Sequence, residues 1–145
     1  MTKTDILFLC TGNSCRSHMA EAWCRALHSD RYRAYSAGII AKGLNPRMVQ
    51  VMRECGIDPT IQQSSKTLQS VLDAGVHLDL VVTVCGHAHE TCPVFPGSTH
   101  VVHVGFDDPP ALAADAGDEA EALQHYRRVR DEIRDFIINL PESLP

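Results

Sequence analysis

Short apolar runs divided by polar loops set the rhythm of this chain. Ile6-Leu7-Phe8-Leu9 is an unbroken apolar block inside residues 5–10, the length of a strand buried on both faces. The polar stretch Thr11-Gly12-Asn13-Ser14-Cys15-Arg16 follows. Met19, Trp23, Ala26 and Leu27 then recur at helical spacing, which predicts a helix capped by Ser17 and running to about residue 28. Residues 33–36 read as a weaker strand. Pro46 suits the first turn of a helix ending near Gly56, and residues 66–74 form another candidate helix. Leu80-Val81-Val82-Thr83-Val84, within residues 79–84, is the clearest buried strand after the first, and residues 101–104 read as a fourth. Toward the end, Leu123, Tyr126, Val129, Ile133, Phe136, Ile137 and Leu140 keep helical spacing until Pro141 stops it. Residues 111–122, rich in Ala, Asp and Glu, read as a solvated connector.

Strands that alternate with helices predict an α/β fold with a parallel sheet. The expectation is a single three-layer domain over residues 1–145, with a four-stranded parallel sheet and helices on both faces. No internal repeat or linker interrupts it. Ligands of such sheets bind beyond the carboxyl ends of the strands. Cys10, Cys85 and the Asp107-Asp108-Pro109 turn all follow predicted strands, so they should share one side of the molecule.

Composition narrows the partners. The chain has 145 residues, 44% hydrophobic and 21% charged, an ordinary globular balance. A net charge of -5 argues against a general nucleic-acid binder, though not against a small oxyanion held by local donors. No apolar run is long enough for a bilayer, so no membrane partner is expected. The start, MTKTDILFLC, lacks a long apolar leader core and a small-residue cleavage site, which gives a cytoplasmic expectation. In that setting the six cysteines, Cys10, Cys15, Cys24, Cys55, Cys85 and Cys92, are read as buried, metal-binding or redox-active rather than as a disulfide framework.

Cys10 to Arg16 is C-x5-R, placed between a strand and a helix and followed at once by Ser17. Such a loop can turn the backbone N–H groups of Thr11, Gly12, Asn13, Ser14, Cys15, Arg16 and Ser17 toward a tetrahedral oxyanion, with the helix dipole behind them. Arg16 can hold two anion oxygens in its planar fork. The same field favours a nucleophilic thiolate at Cys10. Gly12 and Asn13 tolerate the positive φ that a tight cradle needs.

Cys85 and Cys92 are seven residues apart. On an intact helix they would share a face about 10.5 Å apart, beyond the roughly 7 Å between Cα atoms that a disulfide spans. A bond between them requires the segment to unwind, and Gly86, Thr91 and Pro93 make it a poor rigid helix. Two other readings stand beside a redox pair. Cys85, His87, His89 and Cys92 could form a metal site in a binding or sensing module, although the spacing departs from the usual zinc patterns. The two cysteines could also be inert and buried. Cys24 and Cys55 are expected as small buried hydrophobes, and the remaining histidines as surface or packing residues.

CTGNSCRS at 10–17 resembles the catalytic loop of low-molecular-weight protein tyrosine phosphatases and of the arsenate reductases that share their fold. MAEAW at 19–23, YSAG at 35–38, DLVVTVCG at 79–86, CPVFPG at 92–97 and GFDDP at 105–109 extend the likeness over nearly the whole chain, closest to thioredoxin-coupled arsenate reductases. The resemblance implies Cys10 as nucleophile, Arg16 as oxyanion clamp, Ser17 as a hydroxyl supporting the thiolate and Asn13 as a brace of the loop. It implies Asp108 as the general acid, with Asp107 the weaker candidate. It implies that Cys10 attacks arsenate, that Cys85 attacks Cys10 to release arsenite, and that Cys92 then attacks Cys85. Thioredoxin or a similar dithiol protein, as electron donor, would reduce the final disulfide, with no tightly bound cofactor or metal. Phosphatase action needs only Cys10, Arg16 and Asp108 and is the alternative; Pro110 stands where phosphatases of this fold place an aromatic residue. In some relatives a potassium ion is held by residues matching Asn13, Glu21 and Ser36 and by an aspartate near 65. Here that stretch reads Ser64-Ser65-Lys66, without the carboxylate.

Overall fold

The computed structural model describes residues 2–86, 95 and 97–145. Strands β1 (Thr4–Cys10), β2 (Tyr32–Gly38), β3 (Leu80–Thr83) and β4 (His100–His103) form a single sheet in the order β2-β1-β3-β4. Every neighbouring pair is parallel. Ile6, Leu7, Phe8 and Leu9 are all fully buried although successive side chains point to opposite faces, so both faces of the sheet are covered. Burying each such side chain contributes about 1.5–3 kcal/mol, which is why this run is a central strand.

Helix α1 (Arg16–His28) packs on β1 and β2. Helices α2 (Pro46–Arg53), α3 (Pro59–Gln62), α4 (Leu68–Asp73) and α5 (Pro109–Ala113) are short, and α6 (Glu119–Ile138) is the long closing helix. The stripe Leu123, Tyr126, Val129, Ile133 and Ile137 is buried, and Trp23 Nε1 of α1 donates to the Arg130 carbonyl of α6 at 3.1 Å. No described helix is long and apolar enough to cross a membrane.

The sheet order reverses direction at β1 and β3. Chain from β1 goes out to β2 on one side, and β3 leads to β4 on the other. Such a switch leaves a crevice at the carboxyl ends of the two central strands. Cys10 ends β1 and Cys85 lies just past β3, on either side of that crevice.

Several expected boundaries move for local reasons. Helix α2 ends in a Schellman motif, with Gly56 at φ 79° and Ile57 N–H reaching the Met52 carbonyl at 3.1 Å. Cys55 lies in that final turn and is exposed, which corrects its reading as a buried hydrophobe. Helix α3 was not expected, although Asp58 before Pro59 carries its signal: the carboxylate accepts from Thr60 N–H and proline starts the turn. Residues 109–113, assigned in part to the connector over 111–122, are helical with Pro109 in the first turn, although the Asp108 side chain makes no cap bond.

Candidate active site

The C-x5-R segment is a loop between β1 and α1, and it is braced from outside. Ile39 N–H donates to the Cys10 carbonyl at 3.2 Å, Ile40 to Thr11 at 3.0 Å, Lys42 to Gly12 at 2.8 Å and Asn45 to Ser14 at 3.0 Å. With those carbonyls pinned outward, the peptide planes leave the loop N–H groups free to turn inward. Gly38 allows the close approach, because a Cβ there would meet the Ile40 carbonyl and come within 2.6 Å of the Asn13 nitrogen. Helix α1 begins at Arg16 with Cys15 in the cap position and no side-chain cap. Its first-turn N–H groups and positive dipole end are therefore available to an anion.

The expectation that Ser17 caps this helix is wrong, and the reason lies in the loop. Ser17 is fully buried, its Oγ 3.1 Å from Cys10 Sγ and accepting from Asn13 Nδ2 at 2.9 Å. Because that lone pair is used, the hydroxyl proton is free to point at the Cys10 sulfur. Asn13 has φ 44°, the left-handed conformation expected of it. Its Nδ2 also donates to Ser36 Oγ at 3.0 Å, and its Oδ1 accepts from Lys66 N–H at 2.8 Å. Gly12, by contrast, has no positive φ. It is needed for space, since a Cβ on it would sit 2.9 Å from Lys42 Cδ.

Other sequence-derived residues converge on the loop. Cys85 is buried, with Sγ 3.2 Å from Thr11 Oγ1, so a second thiol stands at the lip of the cradle. Arg16 is oriented by an Nη1 donor bond of 2.8 Å to the Phe106 carbonyl, and its Nη2 lies 3.6 Å from Asp108 Oδ1. Asp107 is paired instead with Arg128 of α6 at 3.0 Å, which separates the two adjacent carboxylates. Cys10, Thr11, Gly12, Ser14, Cys15, Arg16 and Asp108 line a cleft of about 350 Å³. Lys42, Asn45 and Pro110 complete it, and the first two were not anticipated. Asn45 carried a signal, as an Asn-Pro helix start: its Oδ1 caps α2 while its Nδ2 donates to the buried Tyr126 hydroxyl at 3.1 Å.

Cys92 lies outside the described residues, as do His87 and His89. Burial pushes the Cys15 thiol well above its ordinary range, with Cys10 beside it adding to the effect. Burial likewise pushes Cys24 up to about 12. Both therefore stay as thiols, which are poor nucleophiles.

A potassium ion does not fit beside the loop. Asn13 presents its Nδ2 donor to Ser36, and Ser36 donates to Glu21 Oε1 at 2.6 Å. The Glu21 carboxylate is already paired with Arg25 at 2.8 Å and faces the Lys66 charge. Next to this network His18 is fully buried. Its Nδ1 lies 2.9 Å from the Gln63 side-chain amide nitrogen, and its Nε2 has no hydrogen-bond partner among the described residues.

Burial, and then the Lys66 charge, lowers His18 to about 4. The unfolded chain protonates near the ordinary 6.5, so between those values it binds more protons than the folded protein. Stability is fully present above about pH 6.5 and falls as pH drops toward 4, by about 3 kcal/mol. Urea unfolding at about pH 7.5 and 4.5 should show that loss, and His18→Gln should remove most of it. Identical pH slopes in the two proteins would refute the effect.

The low molecular weight phosphotyrosine protein phosphatase family matches residues 5–145. An arsenate reductase of Halalkalibacterium halodurans is 50% identical over 143 residues, covering 99% of each chain. The arsenate reductase of Bacillus subtilis strain 168 is 48% identical over 143 residues, again covering 99% of each. The crystal structure of an arsenate reductase from Archaeoglobus fulgidus superposes with a TM-score of 0.70 at 30% identity, covering 93% of this chain and 97% of that one. A braced C-x5-R cradle on a four-stranded parallel sheet, with these relatives matching end to end, leads to one assignment: the chain belongs to the low molecular weight phosphotyrosine protein phosphatase family, among its arsenate reductases.

Proposed function

We propose that this chain reduces arsenate to arsenite, acting as one domain over residues 1–145 in the cytoplasm with thioredoxin or a similar dithiol protein as electron donor. The observation that carries the reading is the Cys85 thiol at 3.2 Å from Thr11, beside the Cys10 cradle. Hydrolysis of a phosphoester needs no second thiol, whereas reduction by two electrons does.

The loop N–H groups and Arg16 hold the arsenate oxygens. The Cys10 thiolate, steadied by the Ser17 hydroxyl, attacks arsenic and displaces one oxygen, which Asp108 protonates as it leaves. The arriving oxyanion competes with Asp108 for Arg16, so the 3.6 Å ion pair loosens as substrate binds. Cys85, as thiolate, attacks the Cys10 sulfur. The S–S bond forms, the S–As bond breaks, and its electron pair stays on arsenic, which leaves as arsenite. Cys92 then attacks Cys85, freeing Cys10, and the external dithiol reduces the Cys85–Cys92 disulfide. Roles for Thr11, Gly12, Asn13, Ser14 and Cys15 are those of the cradle.

Phosphatase action is the second reading, because Cys10, Arg16 and Asp108 stand together whether or not Cys85 takes part. Incubation with arsenate, thioredoxin, thioredoxin reductase and NADPH, beside hydrolysis of p-nitrophenyl phosphate, separates the two. NADPH oxidation that depends on arsenate and on thioredoxin is the expected result. Phosphoester turnover without arsenate-dependent oxidation would replace the first reading by the second.

A further inference from the structure

Lys42 is a cation of the cleft that the roles above leave unused. It comes from the brace after β2, and its backbone N–H holds the Gly12 carbonyl at 2.8 Å. Its side chain doubles back across the loop: an added Gly12 Cβ would lie 2.9 Å from its Cδ, 3.2 Å from its Cγ and 3.4 Å from its Cβ. The stem thus covers the Gly12 peptide, and the side chain lines the same cleft as Cys10 and Arg16. Arg16 is fixed by the Phe106 carbonyl and neighbours Asp108. Lys42 forms no ion pair among the described residues.

We propose that Lys42 is a second oxyanion-binding residue, whose ammonium closes the open side of the cradle and sets its affinity for the dianionic form of the substrate. This rests on the reading of Cys10 to Arg16 as an oxyanion cradle, and not on whether the bound anion is then reduced. Arg16, partly balanced by Asp108, supplies about one positive charge at most. Arsenate near neutral pH is a mixture of monoanion and dianion, so a second cation favours the dianion. A lysine suits the rim, because its compact charge on a flexible stem follows the anion in and out. The chain is net negative at -5, so a local cation at the mouth also opposes the repulsion an anion meets on approach.

The test compares the unaltered protein with Lys42→Met, which keeps the stem and removes the charge, and Lys42→Arg, which keeps the charge. Inorganic phosphate is titrated as a protector of Cys10 against iodoacetamide, read by peptide mapping, and arsenate kinetics are measured alongside. Lys42→Met should weaken phosphate protection and raise KM for arsenate by about tenfold, the lower end for a charged hydrogen bond exposed to water. Its kcat should stay within about twofold. Its phosphate affinity should depend less on salt than that of the unaltered protein. Lys42→Arg should restore most of the affinity. Unchanged phosphate protection in Lys42→Met would overturn the proposal. So would an equal loss in Lys42→Arg, or a fall in melting temperature and kcat without weaker phosphate binding, because each would make Lys42 a brace only. If the unaltered protein binds phosphate through Lys42 yet does not reduce arsenate, the reductase reading fails and this one stands. If arsenate is reduced and Lys42→Met protects normally, the reverse holds.

Discussion

Cys10→Ser should abolish arsenate reduction and any phosphoester hydrolysis together, by about 10⁴-fold or more. Serine keeps the size of the side chain and can keep the contact with Ser17 Oγ, so the fold and the cradle should survive. What is lost is the nucleophile, because an alcohol is far less ionised than a thiol near neutral pH and, among the described residues, no histidine or other base bonds to it. Among the described residues the neighbours of Cys10 Sγ include Ser17, whose hydroxyl is not a base at this pH. The variant should still bind phosphate, since the loop N–H groups, Arg16 and the α1 terminus are unaltered. Calorimetric titration with phosphate beside the two activity assays checks both halves. Arsenate reduction above about a tenth of the original rate would rule out Cys10 as the nucleophile.

Much of this was legible in the chain because the strongest signals were local. The apolar block at 6–9 and the run at 80–84 specify strands buried on both faces, and the alternation with helices specifies a parallel sheet. Those two strands set Cys10 and Cys85 at the same end of the molecule, and the sheet order then sets them at the switch point. The resemblance favoured Asp108 over Asp107 as the acid, and the two carboxylates have different partners. Arg128 from α6 reaches Asp107 across 21 positions, while Asp108 stands beside Arg16.

What sequence reasoning missed depends on long-range packing. The brace at 38–45 contains no chemical motif, yet its backbone N–H groups aim the loop. Lys42 reads as an ordinary exposed lysine, and it is exposed, but its backbone bond to the Gly12 carbonyl lays its stem beside that glycine. Ser17 has the pattern of a helix cap, and the tertiary bonds to Cys10 and Asn13 take its hydroxyl instead. Gly12 was expected to supply positive φ, but only the Lys42 stem explains it. Cys55 sits where periodicity suggests burial, while the Schellman turn at Gly56 carries it to the surface.

Loss of Cys85 and loss of Cys92 should leave different chemical signatures, because the two thiols act in successive exchanges. In Cys85→Ser the arsenic adduct on Cys10 has no internal thiol to resolve it, and repeated turnover should fall below detection, on the order of 10³-fold or more. Serine fits the site, since Cys85 makes its contact with Thr11 at 3.2 Å and a hydroxyl can do the same. In Cys92→Ser a single turnover should still release arsenite and then stall as a Cys10–Cys85 disulfide. Phosphoester hydrolysis needs no electrons and should continue in both variants. Mass spectrometric mapping after one arsenate turnover, with thioredoxin withheld, locates the bonds. The unaltered protein should carry Cys85–Cys92, and Cys92→Ser should carry Cys10–Cys85. A pairing of Cys10 with buried Cys15 in place of Cys85 would move the resolving thiol into the loop itself. If a variant lacking both Cys85 and Cys92 still turned over repeatedly with thioredoxin alone, the relay would be wrong. Stoichiometric zinc binding lost in that same variant would assign the pair to a metal site.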